Sequence, residues 1–190
     1  MKLIVGLGNP DEKYKKTRHN IGFRILNELV TIGQYNKLEF KEDKKFFGQY
    51  TKKQEFILLK PMTYMNRSGQ SVLAIKQYYN IESENILVVH DDMDLGFGQI
   101  KMQKEKSAAG HNGVDSIINS LGSNNFWRLR IGINNDLKEK IPGDKFVIYN
   151  FSSEEEKKFP QIIDYSLDLI IEFIEKKHDK LTNKNFKIPV

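Results

Sequence analysis

The sequence predicts a single α/β domain on a largely parallel or mixed sheet flanked by helices. Three observations lead there. Its 190 residues suit one domain with a real core. Short apolar runs bounded by turn residues alternate with segments of helical spacing. The first run, KLIVGL at 2–7, is apolar without alternation, as suits a strand covered on both faces.

That run ends in Gly-Asn-Pro, and GNPDEKYKKTRHN (8–20) reads as a polar loop. Ile21, Ile25 and Leu29, with Gly22, Leu26 and Val30, mark one side of an amphipathic helix ending near Gly33. FKEDKKFFGQYTKK (40–53) and EFILLK (55–60) predict a strand pair, the second stopped by Pro61. MNRSGQSVLAIKQYY (65–79) carries Val72, Ile75 and Tyr79 at helical spacing. ENILVVHDDMD (84–94) predicts a strand with an acidic end, and IKMQ (100–103) a short one. GHNGVDSIINSLG (110–122) predicts a helix between glycines, FWRLRIGI (126–133) an alternating strand, and DKFVIYN (144–150) the last strand. Ser152 and Glu155 fit a capping box, opening a helix with Phe159, Ile163, Leu167, Ile170 and Ile174 on one face. One domain is expected over 1–190, with 184–190 a loose tail.

Composition excludes several chemistries. Without cysteine there are no disulfides, no thiolate catalysis and no cysteine zinc site. No run of 18 apolar residues exists, so no membrane helix is expected. MKLIVGLGNP is too short and too soon broken for a secretory signal, which makes a cytoplasmic protein the expectation. Lys plus Arg outnumber Asp plus Glu by 30 to 25. A net +5 favours polyanions weakly and equally suits a Lys-rich solvated surface.

In open α/β sheets, ligands lie beyond the carboxyl ends of strands. Two ends here are unusually polar: Gly8-Asn9-Pro10, and His90-Asp91-Asp92-Met93-Asp94. If their strands are parallel neighbours, both ends share one crevice, and the 8–20 loop delivers His19 to it. GLGNPD fails as a dinucleotide fingerprint, because Asp11 stands where the third glycine belongs. The HDDMD segment offers carboxylates and a histidine for Mg²⁺ or Zn²⁺. An extended backbone, though, sends Asp91 and Asp92 to opposite faces, and no H-E-x-x-H spacing is present. A third arrangement pairs His19 with a distant carboxylate. The carboxylate fixes the tautomer on one nitrogen, and the other nitrogen deprotonates water. No G-x-S-x-G elbow supplies a covalent nucleophile. Asn9, Asn66 and Asn112 stand at a strand end or at helix starts. Each suits a cap or turn there, and each equally suits holding a carbonyl or a water without adding charge.

Taken together, GLGNP, YKKTRHNIGF, KPMTYMNRSG, VVHDDMDLGFG, AGHNG and FWRLRIGI occur in the order and at about the spacing of bacterial-type peptidyl-tRNA hydrolases. The sequence resembles that family over nearly its whole length. The resemblance implies a monomeric, cytoplasmic enzyme with a twisted mixed sheet between helices. It implies hydrolysis of the ester between a peptide and the terminal ribose of tRNA, without metal or organic cofactor. Peptidyl-tRNA is then the partner, and no membrane is involved. The roles it implies are His19 as general base and Asp91 as its support. Asn9 recognises the blocked peptide end, while Asn66 and Asn112 bind near the scissile bond. Tyr64 lines the same site, and Tyr14 contacts the tRNA end. Lys101, Lys104, Lys106, Arg128 and Arg130 are expected to meet phosphates, setting affinity rather than sequence choice; each is otherwise a solvated charge. Arg18 and Asn20 are expected to hold the loop and cap the helix. Some positions depart from the family pattern: Asp11 and Ala109 stand for frequent glycines, Gly96-Phe97 for a proline, and Gln103 for a basic residue. The competing readings are an RNA-binding module that keeps the fold and has lost the reaction, and a metal-dependent hydrolase using the HDDMD segment.

Overall fold

The computed structural model describes residues 1–104, 107–175 and 185–187. One sheet runs through them, built from β1 (Lys2–Gly6), β2 (Lys41–Asp43), β3 (Gly48–Lys52), β4 (Phe56–Pro61), β5 (Ile86–Gly96), β6 (Gln99–Lys104), β7 (Trp127–Asn134) and β8 (Asn185–Lys187). Its order is β2-β3-β4-β1-β5-β7-β6-β8. The central strands β4, β1, β5 and β7 are parallel, and the strands on either side of them are antiparallel. All five residues of β1 are buried, which is why its sequence does not alternate. Ile4 faces the core under α1 (Ile21–Leu29) and α5 (Ser153–Ile174). Leu3 and Val5 face the other core, under α2 (Ser68–Tyr78) and α3 (Asn112–Leu121). No helix among the described residues is long and apolar enough to cross a membrane.

Because β1 and β5 are parallel neighbours, with Gly6 opposite Val89, the Asn9 loop and the His90–Asp91 end emerge on the same edge. Helix α1 lies directly on that edge. Gly22 makes this possible, since a Cβ there would press into the backbone of Leu7 and Val89.

Two expectations are corrected. The 144–150 segment is not a strand. Pro142 opens a single helical turn, α4 (Gly143–Phe146), and Val147 N donates to Gly143 O at 3.1 Å. Phe146 and Val147 reach the core from that turn, while Ile148 and Tyr149 are exposed, so the apolar run that reads as a strand is only half buried. Only an isolated bridge, Thr17 to Asn150, has sheet character. The tail is not wholly loose either. Residues 185–187 add to β6 as an antiparallel edge strand, and the Phe186 ring stacks on Tyr165 at 3.9 Å. The other residues of 184–190 lie outside the described ones.

The capping box at α5 forms as expected: Glu155 N donates to Ser152 Oγ at 3.2 Å, and Ser152 N to Glu155 Oε2 at 2.7 Å. Glu155 has a second task. Its carboxylate takes both bonds of the Arg18 Nη2 group, at 2.9 and 2.7 Å, in a site where Arg18 is 1% exposed. Arg18 Nη1 also donates to the Asn150 carbonyl. Removing one partner of a buried, hydrogen-bonded pair strands the other charge. Arg18→Ala is therefore expected to cost about 3–5 kcal/mol by urea denaturation. A loss below about 1 kcal/mol, typical of a solvated pair, would contradict this account.

Candidate active site

His19 is the middle residue of a 3₁₀ turn, Arg18–Asn20, that runs straight into α1. The turn is tied from outside: Arg18 N donates to Tyr149 O at 3.0 Å and His19 N to Val147 O at 2.8 Å. Asn20 does not cap α1 with its side chain, contrary to expectation. The Leu7 carbonyl accepts from Phe23 N at 3.2 Å and serves the helix start instead. That leaves the Asn20 amide to clasp Asn9, accepting from Asn9 N and donating to Asn9 O, both at 2.9 Å.

The clasp brings His19 to Asp91. His19 Nδ1 lies 2.9 and 3.0 Å from the two carboxylate oxygens. A second histidine, His111, places Nε2 at 3.0 Å from Oδ1 of the same carboxylate. Burial by itself would push the Asp91 carboxyl up. The His19 and His111 imidazoles outweigh it and hold the group well below the usual carboxylate range. An ionised carboxylate only accepts, so both imidazoles donate to it. The tautomer of His111 is settled independently. It is the N-cap of α3, and its Nδ1 accepts from Gly113 N and Val114 N at 3.1 and 3.3 Å. Its proton is on Nε2.

A third ring completes the surroundings. His90 packs edge-on to His111 at 4.7 Å, and its Nδ1 donates to the Asp91 carbonyl at 2.6 Å. Burial, then the neighbouring His111 ring, hold His90 well below its ordinary range, so it is neutral in the fold. The unfolded chain takes up that proton as pH drops through about 6.5. The unfolded state then binds more protons than the folded one, and stability falls with falling pH. From pH 7 to pH 5 the loss is expected to be about 2 kcal/mol. His90→Asn keeps a donor near the Nδ1 position and removes the titration. Urea denaturation at the two pH values should show the variant spared that loss. Equal losses would mean that His90 charges in place.

Asp92 lines the opening beside this cluster and pairs with Arg130. Arg130 and Arg128 are thus not free surface cations. Arg128 is 2% exposed and donates to the Ser107 carbonyl at 2.7 Å, bracing the start of the 107–111 loop. Lys101 and Lys104 are half-buried on β6, and Lys106 lies outside the described residues.

A cavity of about 250 Å³ opens at the cluster, lined by His19, Asp91, Met93, His111, Asn112 and the 143–147 turn among others. Asn112 is exposed as the first residue of α3, and Asn66 is exposed in the 3₁₀ turn before α2. Asn9 is tied to that same turn. Its Oδ1 accepts from Met65 N at 2.9 Å, so its remaining polar group is the Nδ2 donor. Tyr64 is 52% exposed and donates to Asp11 Oδ2 at 3.0 Å, a bond that a glycine at 11 could not make. Tyr14 is half-buried in the turn Glu12–Tyr14, and its N donates to Asp11 O at 2.9 Å. Ala109, the other position lacking the family's glycine, sits at φ +48°, the left-handed region where a Cβ costs about 1 kcal/mol. His19, Asp91 and His111 also present ligand atoms within 4.8 Å of one another, the spacing of a metal site.

A histidine oriented by a buried carboxylate, set beyond the carboxyl ends of a mixed sheet and opening on a small cavity, defines a hydrolytic α/β enzyme. Its sequence matches the model of the peptidyl-tRNA hydrolase family over residues 3–188, and the chain belongs to that family. Peptidyl-tRNA hydrolases of Lactobacillus gasseri and of a Synechocystis species are 40% and 43% identical to it. The alignments cover 94% of this chain and 95% of the first protein, and 91% and 87% for the second. The crystal structure of the peptidyl-tRNA hydrolase from Acinetobacter baumannii superposes with a TM-score of 0.85 at 36% identity, over 96% of this chain and 92% of that one.

Proposed function

We propose that this chain hydrolyses the ester between an N-blocked peptide and the terminal ribose of tRNA, with water activated by His19. In this reading it recycles tRNA as a monomeric, single-domain enzyme of the cytoplasm. The hydrogen bond from His19 to the ionised Asp91 carries the reading. It keeps the proton on Nδ1 and leaves the Nε2 lone pair to take a proton from water in the cavity. The water oxygen attacks the ester carbon, the bond to the ribose oxygen breaks, and the imidazolium returns its proton to that oxygen. Asp91 stabilises the imidazolium in between, more strongly for being buried. No covalent intermediate is needed, because an ester is already an activated carbonyl.

Asn9 serves through Nδ2 as a donor to the peptide end. Asn66 and Asn112 hold the peptide's amides or the attacking water, and Tyr64 and Tyr14 receive the tRNA end. Phosphate contacts fall to Lys101, Lys104 and Lys106, with Arg128 and Arg130 acting from below as braces of the neighbouring loop and strand.

A second reading has its own observation: His19, Asp91 and His111 could instead hold a metal ion that activates the water. One assay separates the two. N-acetyl-aminoacyl-tRNA and unblocked aminoacyl-tRNA are incubated with enzyme in a chelator. Cleavage of the blocked substrate alone supports the metal-free reaction. Activity that returns only on adding a divalent ion favours the metal. Tight tRNA binding without cleavage under any condition would leave an RNA-binding module.

A further inference from the structure

The cavity beside His19 has a larger companion. A groove of about 1000 Å³ opens against the next residue, Asn20, and runs between the Asn9–Lys16 loop, α1, β3 and β4. His19 lines the first cavity and Asn20 the second, so the two flank the same turn. At the β-sheet wall of the groove lies Lys60, 8% exposed. Its Nζ donates to Asn27 Oδ1 at 2.8 Å and sits 3.9 Å from the Phe40 ring centre.

This ammonium is unusual in having no carboxylate partner. Of the groove's other cations, Lys15 pairs with Glu12 at 3.2 Å, Arg24 with Glu156 at 2.8 Å and Lys157 with Glu154 at 2.7 Å, while Lys16 is exposed to solvent rather than buried. Among the described residues no acid pairs with Lys60. Burial alone acts on it, pushing it down to about 8. A buried cation with a single neutral acceptor has two N–H groups unspent, and a charge uncompensated. Nothing in the proposed hydrolysis uses it.

We propose that this groove is a second ligand site, taking an extended peptide segment that bears a carboxylate, with Lys60 Nζ as its anchor. The surrounding groups fit that class. Asn27 and Gln49 offer amides to a peptide backbone, and Phe23 and Met62 give it apolar surface. The volume is at the upper end of ordinary ligand sites, and so has room for several residues. Glu28 and Glu156 on the walls disfavour a dianionic phosphate, whereas one carboxylate matches one ammonium.

The test begins with free peptides. An N-acetylated tripeptide amide with Asp at its centre, and its Asn counterpart, are titrated while the ε-CH₂ resonance of Lys60 is followed by NMR, assigned with Lys60→Gln. The acidic peptide is expected to bind about tenfold tighter, as a charge-assisted hydrogen bond allows, and to raise the Lys60 pKa. Gln49 is the direct neighbour of Lys60 across β3 and β4. Gln49→Glu supplies an internal carboxylate and should abolish the preference while leaving Lys60 in place. Equal binding of both peptides, or no shift at Lys60, overturns the proposal.

A second arm finds the source of the peptide and rests on the proposed function. Peptidyl-tRNAs carrying the same two sequences are compared for KM. A lower KM for the Asp substrate, lost in Gln49→Glu, assigns the groove to the substrate's own peptide. Binding of the free peptide with equal KM values assigns it to a separate one. If neither tRNA is cleaved, the hydrolase reading fails and the peptide titration still decides the groove.

Discussion

Asp91→Asn is expected to lower kcat about 10³–10⁴-fold with KM little changed, a larger effect than loss of one hydrogen bond would give. The reason lies in His111. Its Nδ1 is occupied by the N–H groups of Gly113 and Val114, so it presents a proton, and only a proton, to residue 91. An amide at 91 must answer with its oxygen. Its NH₂ group then faces His19, whose Nδ1 has to become the acceptor. The His19 proton moves to Nε2, and the nitrogen that should attack water's proton is no longer basic. A steady-state comparison on N-acetyl-aminoacyl-tRNA checks this. The pH–rate profile should also lose the limb that reports the imidazole. A variant within about threefold of wild type in kcat, with the native profile, would show that Asp91 does not set the tautomer.

His19→Ala is the second large effect, with hydrolysis expected to fall about 10²–10⁴-fold, the usual worth of a general base. tRNA affinity should hold, because the turn stays anchored through backbone bonds from residues 18 and 19 and through the Asn20 clasp. Filter binding at fixed salt reads the affinity, and product release reads the rate. Loss of both together would make His19 a structural residue of the loop. Loss of neither would remove it from the chemistry.

Much of this was legible from residue patterns. The unalternating KLIVGL run marks a central strand, and its polar end marks one wall of the site. The Ser152–Glu155 spacing marks the start of α5. The meeting of His19 with Asp91 follows from two parallel strands ending side by side. His111 was harder to see. A histidine before Asn-Gly at a helix start reads as a turn residue, and its bond to Asp91 spans elements that only the fold brings together. His90 is visible in HDDMD, but its packing against His111 is hidden for the same reason. Arg128 and Arg130 look like phosphate contacts in FWRLRIGI because alternation says which residues share a face, not whether that face meets solvent. Here Arg128 is buried against the Ser107 carbonyl and Arg130 is paired with Asp92. The 144–150 segment misleads because a short continuous apolar run suits a buried strand and a helical turn alike.

The turn that bears His19 hangs from the far end of the chain: from Val147 and Tyr149 through the backbone, and from Glu155 through Arg18, a partner 137 residues downstream. During synthesis that turn emerges early and its moorings emerge late. On the proposed chemistry, the nascent protein has no placed base until most of its length has left the ribosome.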